Sequence, residues 1–547
     1  MKPKKELIFL PLGGSGEIGM NVNLYGCDGK WIMVDLGMTF GDPSYPGVDL
    51  VLPDLQFIEE NRKDLLGVVL THAHEDHIGA IPYLISELDV PLYATPFTAG
   101  LIRKKLEEEG IEKEIELNVI ENEGSVELGP FNCRYVPLAH SILEGNALLI
   151  ETPYGKIFHT GDWKLDETPV TGDPTTPEEL SAIGDEGILA LVGDSTNVFN
   201  PRASGSEQGV REGLEEVVRE QKGRVLITTF ASNAARVKTI GDIARATGRE
   251  LVMVGRSLHR IVEVAQANGY LKDFPERIRE EEAMKLPRDK VLILSTGTQG
   301  EPRAALSRIA DGSHARIKLE RGDTVVYSSK EIPGNEVGIG VVQNALAEAG
   351  VRIVTERQAH VHVSGHPGIP ELEKMYGWIR PEISVPVHGE HRHMEAHAAL
   401  AKRVGVPQQV VPGNGKAIRL APGKPKVIDH VAHGRLVLDG DLIVPADGQT
   451  MVERRRLAHG GFIGVFLAVG QKALAAQPVI QVQGVPVEDD MDDFIQECSE
   501  AAEAAAKKSK GKSKDQMSEA VRVAVRRMAR EWTGKKPVTQ VSIVKVQ

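Results

Sequence analysis

The chain has 547 residues, room for roughly three or four domains, and its 41% hydrophobic and 26% charged content excludes wholesale disorder. Its 64 Lys and Arg against 77 Asp and Glu leave a net charge of −13, which disfavours generic binding of polyanions. Three dispersed cysteines, Cys27, Cys133 and Cys498, exclude a disulfide framework and a Cys-rich zinc module, and suit a reducing cytoplasm.

The amino-terminal apolar stretch (ELIFLPL) is too short for a signal peptide. The longest later run, FIGVFLAV at 462–469, is under half a membrane span, so a soluble cytoplasmic protein is expected. ELIFLPL, NVNLYG and KWIMVDLG read as strands, with Asp28-Gly29 as a hairpin turn. GVVLTHAHEDH is a buried strand running into a polar loop. IGAIPYLISEL and TAGLIRKKLEEEG have helical spacing, the second with a Gly stop. FNCRYVPL, GNALLIET and KIFHTGD are further strands. From about residue 206, helices and strands alternate, which predicts an open, mostly parallel α/β sheet. The His-rich style of the first part returns near residue 360, the pattern of one domain inserted into another. Residues 488–503 hold eight acidic residues and no Lys or Arg, whereas 507–547 hold twelve basic against three acidic. Between them AAEAAAKKSKGKSKD reads as low-complexity and mobile. A helix (SEAVRVAVRRMAREW) and an alternating strand (VTQVSIVKV) close the chain.

The strongest chemical signal is His72-Ala73-His74-Glu75-Asp76-His77, just after a buried strand. His72 and His74 sit two apart, so an extended backbone puts them on one side. Asp76 and His77 lie where the chain turns. Imidazole and carboxylate together suit zinc, and four ligands divided in facing suggest two ions sharing the site. Candidates for the remaining ligands are His140, Asp162 and His388, each at a loop start after an apolar run. His159, His391, His393 and His397 read as structural or solvated.

At this point the chain resembles the metallo-β-lactamase fold with an inserted β-CASP domain. More narrowly, GGSGEIGMN (13–21), THAHEDHIG, FHTGDWKLD, GDSTN (193–197), TFASN (229–233), STGTQGEP (295–302), PGNE (333–336), HVSGH (362–366) and PVHGE (386–390) resemble the bacterial ribonuclease J family. The resemblance implies an α/β architecture: a metallo-β-lactamase αββα sandwich in residues 1–205 and 362–425, and a β-CASP α/β domain in 206–361. A linker at 426–462 and a small C-terminal α/β domain at 463–547 would follow. It implies one zinc on His72, His74 and His140, a second on Asp76, His77 and His388, and Asp162 bridging them. Mn2+ or Mg2+ supporting turnover is the alternative. Asp35 would orient a ligand. The activity implied is 5′-to-3′ exonuclease and endonuclease cleavage of single-stranded RNA, in mRNA decay and rRNA maturation, by a hydroxide activated at two zinc ions. Asp76 would handle the proton of the attacking water, and His366 would serve the leaving oxygen. Ser232, Asn233, His362, Ser364, Gly365 and His366 would bind RNA and its 5′-monophosphate. Arg236, Lys238, Arg256, Arg260, Arg303 and Lys330 are candidates to line the RNA channel. A homodimer or homotetramer and partners among RNA-degradation or ribosome-associated proteins are implied, with no membrane.

Three other readings compete. A hydrolase of small esters or thioesters would use the same ligands but would need neither the insertion nor HVSGH. A β-CASP nuclease acting on DNA or on RNA 3′ ends would differ in contacts to the 2′-OH. A silent RNA-binding scaffold would have no need of the complete ligand set.

Overall fold

The computed structural model describes residues 5–471 and 473–546. Residues 1–4, Lys472 and Gln547, which fall in the expected first and last domains, lie outside the described residues. The chain divides into two compact units, Met1–Thr39 with Leu52–His433, and Phe40–Val51 with Gly434–Gln547.

The first unit is built on two facing sheets. One has eight strands, in the spatial order Lys426–His430, Lys416–Ala421, Leu7–Gly13, Val22–Cys27, Lys30–Val34, Leu65–Val69, Leu92–Ala94, Leu117–Val119. The other has seven, in the order Ser125–Leu128, Phe131–Pro137, Asn146–Thr152, Gly155–His159, Ile188–Asp194, Ile383–Val387, Gln408–Gln409. Alternation along the strands explains both faces of the second sheet. Leu148, Ile150, Ile157, Ala190 and Val192 point between the sheets and meet Phe9, Tyr25, Ile32 and Val69. Ala147, Leu149, Phe158 and Leu191 point the other way, onto helices that supply Leu180, Ile183, Leu372, Met375, Ile379 and Leu400. The expected hairpin forms at Asp28-Gly29, both with positive φ, and pairs Cys27 with Lys30. The helix Pro96–Glu109 starts on its proline and stops at Gly110, φ 75°, which only a residue without Cβ adopts freely.

Between Asp194 and Ile383 the chain leaves the sandwich and comes back. The excursion contains a wholly parallel five-stranded sheet, ordered Glu250–Val254, Val291–Ser295, Val225–Thr228, Thr324–Tyr327, Arg352–Val354. On return, Ile383–Val387 pairs in parallel with Ile188–Asp194, which sets Asp194 opposite Val387. A residue distant in sequence is thereby fixed beside His388.

Two expectations need correction in the last part of the chain. The segment 426–462, read as a linker, holds the strands Lys426–His430, Arg435–Asp439 and Leu442–Pro445 and the helix Gln449–Gly460. Gly440 makes the turn between the last two of these strands, and Gly448 and Gly461 cap the helix. The segment read as mobile is largely helix, Met491–Lys508 and then Lys514–Thr533. Phe494, Cys498, Ala502 and Ala506 recur every four residues and are buried against Val521, Val525 and Ala529. Alanines at that spacing make a core stripe that composition alone disguises. A three-stranded sheet, Val479–Gln483, Phe462–Val469 and Val538–Lys545, completes this unit. Among the described residues no helix is long and apolar enough to cross a membrane.

Candidate metal centre

The strand Leu65–Val69 ends below Thr71, and the chain then turns into the short helix Glu75–Ile78. This places His72 and His74 on the extended approach and Asp76 and His77 on the first helical turn. His72 Nε2 is 3.1 Å from His74 Nδ1, and His140 Nε2 is 3.0 Å from that same Nδ1. Three ring nitrogens thus converge. His388 Nε2, 3.2 Å from Asp76 Oδ2, has no hydrogen-bond partner among the described residues. Asp162 lies between the two sets. Its Oδ2 is 3.8 Å from His72 Nε2 and 3.7 Å from His140 Nε2. Its Oδ1 is 3.3 Å from His77 Nε2 and 2.8 Å from His388 Nδ1. Two donor groups form around the H-x-H-x-D-H motif, His72, His74, His140 and Asp162, and Asp76, His77, Asp162 and His388, and a third, Asp162, Asp194, His366 and His388, overlaps them; within each group the donor atoms lie within 4.8 Å of one another.

Outer contacts aim these rings. His140 Nδ1 donates to the carbonyl of Gly365 at 2.6 Å, which leaves the Nε2 of the neutral ring as a lone pair facing the site. His77 Nδ1 bonds Asp35 Oδ2 at 2.7 Å. The same carboxylate accepts from the Thr71 N–H and hydroxyl, and that hydroxyl lies 3.0 Å from His72 Nδ1. Asp35 therefore orients one ring from each donor group. It is fully buried and has φ 64°, and His388 has φ 50°. Left-handed backbone at two non-glycine residues costs of order 1–3 kcal/mol each, so their surroundings must enforce it. For His388 the N–H bond to Gly14 O at 2.7 Å does so. Gly37 passes so close that a Cβ there would lie 1.7 Å from the Asp76 carbonyl.

The electrostatics fit cations. Burial lowers His72, His74 and His140, His74 to about 4, which keeps their lone pairs free. Burial also opposes charge on His77 and His388, yet Asp162 outweighs it, with help from Asp76, and raises both. Burial would raise Asp162 itself, but His388 and His77 hold it well below the usual range. The corner around Asp76 and Asp162 demands positive charge, while the His72 corner offers neutral nitrogen. Nitrogen and carboxylate donors in this mixture suit zinc.

Beside this centre, His366 Nδ1 bonds Asp194 Oδ2 at 2.8 Å. Burial disfavours its charge, but Asp194 outweighs burial and raises it. Asp194, Thr196 and Asn197 were not assigned roles by sequence reasoning, although GDSTN was visible as a motif. Thr196 Oγ1 donates to the His388 carbonyl at 3.1 Å, and Asn197 Nδ2 lies 3.4 Å from both Ser364 Oγ and the His366 carbonyl. Asn21 was also missed; its Nδ2 is 3.0 Å from His77 Nε2.

The expected RNA contacts divide. Ser232 Oγ is 3.2 Å from His74 Nε2, so its loop reaches the centre. Asn233 is buried and spends its side-chain oxygen capping the helix Ala234–Thr247 through Arg236 N at 2.9 Å. Ser364 Oγ is engaged in its own turn, with His366 N at 3.0 Å. His362 has a buried Nδ1 without a partner; burial first, then the nearby Arg236 and Lys330, push it down to about 3. Arg236 requires correction as a channel residue. It is fully buried and gives its donors to Glu207 at 3.0 Å, Ser328 O at 3.0 Å and Val361 O at 3.2 Å. Lys238 pairs with Asp242 and Arg260 with Glu108, whereas Arg256, Arg303 and Lys330 are exposed. His159 bonds Tyr25, His397 bonds Ser195, His393 stacks on Phe199 and His391 is solvated near Glu395.

Comparisons with known proteins agree with this geometry. Residues 18–204 match the metallo-beta-lactamase superfamily, 222–346 the ribonuclease J beta-CASP domain, 350–411 the Zn-dependent metallo-hydrolase RNA specificity domain, and 449–546 the ribonuclease J C-terminal domain. A ribonuclease J of Sinorhizobium meliloti is 43% identical over 555 residues, covering 100% of this chain and 98% of its own. One from Mycobacterium tuberculosis is 37% identical over 96% of this chain and 94% of its own. In fold, a crystal structure of a protein of unknown function from Enterococcus faecalis V583 superposes with TM-score 0.54 at 19% identity, over 76% of this chain and 100% of that one.

Proposed function

The chain belongs to the ribonuclease J family and is a metal-dependent ribonuclease, and we propose that it degrades single-stranded RNA from 5′-monophosphorylated ends, with internal cleavage as a second mode. Membership displaces the small-ester reading, and the complete donor set argues against a silent scaffold. The observation that carries the proposal is Asp162, whose two oxygens face two separate donor groups. His72, His74 and His140 would hold one zinc, Asp76, His77 and His388 the other, with Asp162 shared. Such ions supply an activated water near neutral pH and neutralise charge on phosphoryl oxygens.

The chain's own residues do the rest. Asp76, 30% exposed at its side chain, is the carboxylate that water can reach, and it accepts the proton of the attacking water. His366, whose pKa the hydrogen-bonded Asp194 raises against the effect of burial, donates to the departing 3′-oxygen. Ser232, His362, Ser364 and Lys330 surround the 5′-phosphate, with the unpartnered Nδ1 of His362 as a ready acceptor or donor. We place the enzyme in the cytoplasm, in mRNA decay and rRNA maturation, as a dimer or tetramer joined through its C-terminal domain. The test is digestion of one RNA carrying a 5′-monophosphate, 5′-triphosphate or 5′-hydroxyl, labelled at either end. Mononucleotides should be released rapidly from the monophosphate form and not from the triphosphate form. Equal release from both would reject the 5′-phosphate pocket.

A further inference from the structure

A buried hydrogen-bond chain runs behind the loop that carries Asp194. Ser195 Oγ is 2.9 Å from His397 Nδ1, His397 Nε2 is 2.9 Å from Tyr376 OH, and Tyr376 OH is 2.7 Å from Ser384 Oγ. Ser195, His397 and Ser384 are fully buried, and Tyr376 is 4% exposed. The four residues come from four places: the loop after Ile188–Asp194, the helix His391–Arg403, the helix Ile369–Ile379 and the strand Ile383–Val387. None of these four side chains belongs to a metal donor group. Tyr376 lies in a core of Leu372, Met375, Ile379 and Leu400, where a half-satisfied polar chain would be costly. Aliphatic side chains would fill that space without any pairing requirement.

What distinguishes this chain is the loop it grips. On the other side of residues 194–197 stand the groups of the site. Asp194 holds His366, and its second oxygen accepts from Thr196 N at 2.8 Å. Thr196 in turn holds the His388 carbonyl, and Ser195 N bonds Val387 O at 3.0 Å. At the end of the strand that leads into the loop, the backbone of Gly193 packs against His397, and a Cβ there would stand 2.7 Å from Leu191 Cδ2 and 3.3 Å from His397 Cε1. Burial pushes His397 down to about 4, against the pull of Asp194. The ring is therefore neutral at ordinary pH, with one nitrogen donating and the other accepting, so every member of the chain is satisfied in either tautomer.

We propose that Ser195, His397 and Tyr376 are positioning residues for RNA cleavage: they fix the 194–197 loop so that the Asp194 carboxylate meets His366. His397 touches neither RNA nor metal in this account and acts only through Ser195 and Asp194. The inference rests on His366 as the proton donor. Displacing a catalytic group by about 1 Å can cost 10²-fold in rate, so a loosened loop has a measurable effect.

The test uses the full-length, metal-loaded protein and a 5′-monophosphorylated oligoribonucleotide, with kcat, KM, metal content and Tm measured for each variant. Ser195→Ala and His397→Leu should each lower kcat roughly tenfold, with KM and metal content unchanged. His397→Asn, whose amide reaches the Nδ1 position, should recover most of the loss, whatever its Tm. In a His366→Ala background the same substitutions should cost less than about twofold, because the group they position is gone. If His397→Leu fails to fold, Ser195→Ala and Tyr376→Phe, which remove one hydroxyl each, carry the same comparison. Wild-type kcat in Ser195→Ala and Tyr376→Phe, or losses that persist undiminished beside His366→Ala, would overturn the proposal. A fully active His366→Ala would reject the role of His366 and this inference together. An impaired His366→Ala beside unimpaired Ser195 and His397 variants would reject the inference alone.

Discussion

One buried carboxylate, Asp35, orients two rings of the candidate metal centre. It fixes the His77 ring directly and the His72 ring through Thr71. Asp35→Asn keeps the shape but replaces one acceptor oxygen by a donor. Metal affinity should fall roughly 10–100-fold, as read by competition with a chelator, with the fold retained. Unchanged affinity would show that the ring orientations are set elsewhere. His366→Ala should behave in the opposite way. It keeps both donor groups, so metal content should stay at the wild-type level while kcat drops about 10²–10⁴-fold. Residues of the H-x-H-x-D-H type were legible because few other functions concentrate imidazole and carboxylate after a strand. Asp194 and Asn21 were not legible in that sense. A lone Asp after Gly reads as a turn, and only the parallel pairing of Ile188–Asp194 with Ile383–Val387 brings it to His388.

At the scale of elements, the inserted sheet hangs on a few buried charges. Arg236 on the helix Ala234–Thr247 clamps Glu207, Ser328 and Val361, joining the start of the excursion to its end. Removing one partner of such a pair leaves the other charge buried alone, so Arg236→Ala should lose about 3–5 kcal/mol of stability. Its salt dependence of RNA binding should not change, because the guanidinium is fully buried and bonded within the fold. Exposed Lys330 should behave in reverse: Lys330→Ala keeps Tm but lowers the slope of log affinity against log salt by about 0.7, the value for one phosphate on a single strand. Denaturation and salt titrations of the two variants separate these outcomes. The strands of the sandwich were readable as short apolar runs, since those of the seven-stranded sheet bury one face between the sheets and the other under helices. The last helices were harder to read. Ala502 and Ala506 look like low complexity until Val521, Val525 and Ala529 are seen across from them. Likewise the Gly- and Pro-rich stretch at 426–462 conceals short strands whose partners lie far away in sequence or only just ahead.

For the whole molecule, the candidate metal donor groups found among the described residues all lie in the first compact unit. A chain ending at Pro445 should therefore keep its metal while losing the helices and the three-stranded sheet that follow. We expect it to be monomeric by light scattering and less active on RNA; an unchanged oligomer would put the interface in the catalytic unit. In the proposed mechanism one carboxylate, Asp162, would join two metal sites into one RNA-cleaving centre. The most direct measurement strips the full-length protein with a chelator and titrates zinc back while following RNA cleavage. Activity should need two equivalents per chain, and His74→Ala with Asp76→Ala should abolish both tight binding and cleavage, with the fold intact. Full cleavage restored by a single equivalent, or parental cleavage by that double variant, would contradict it.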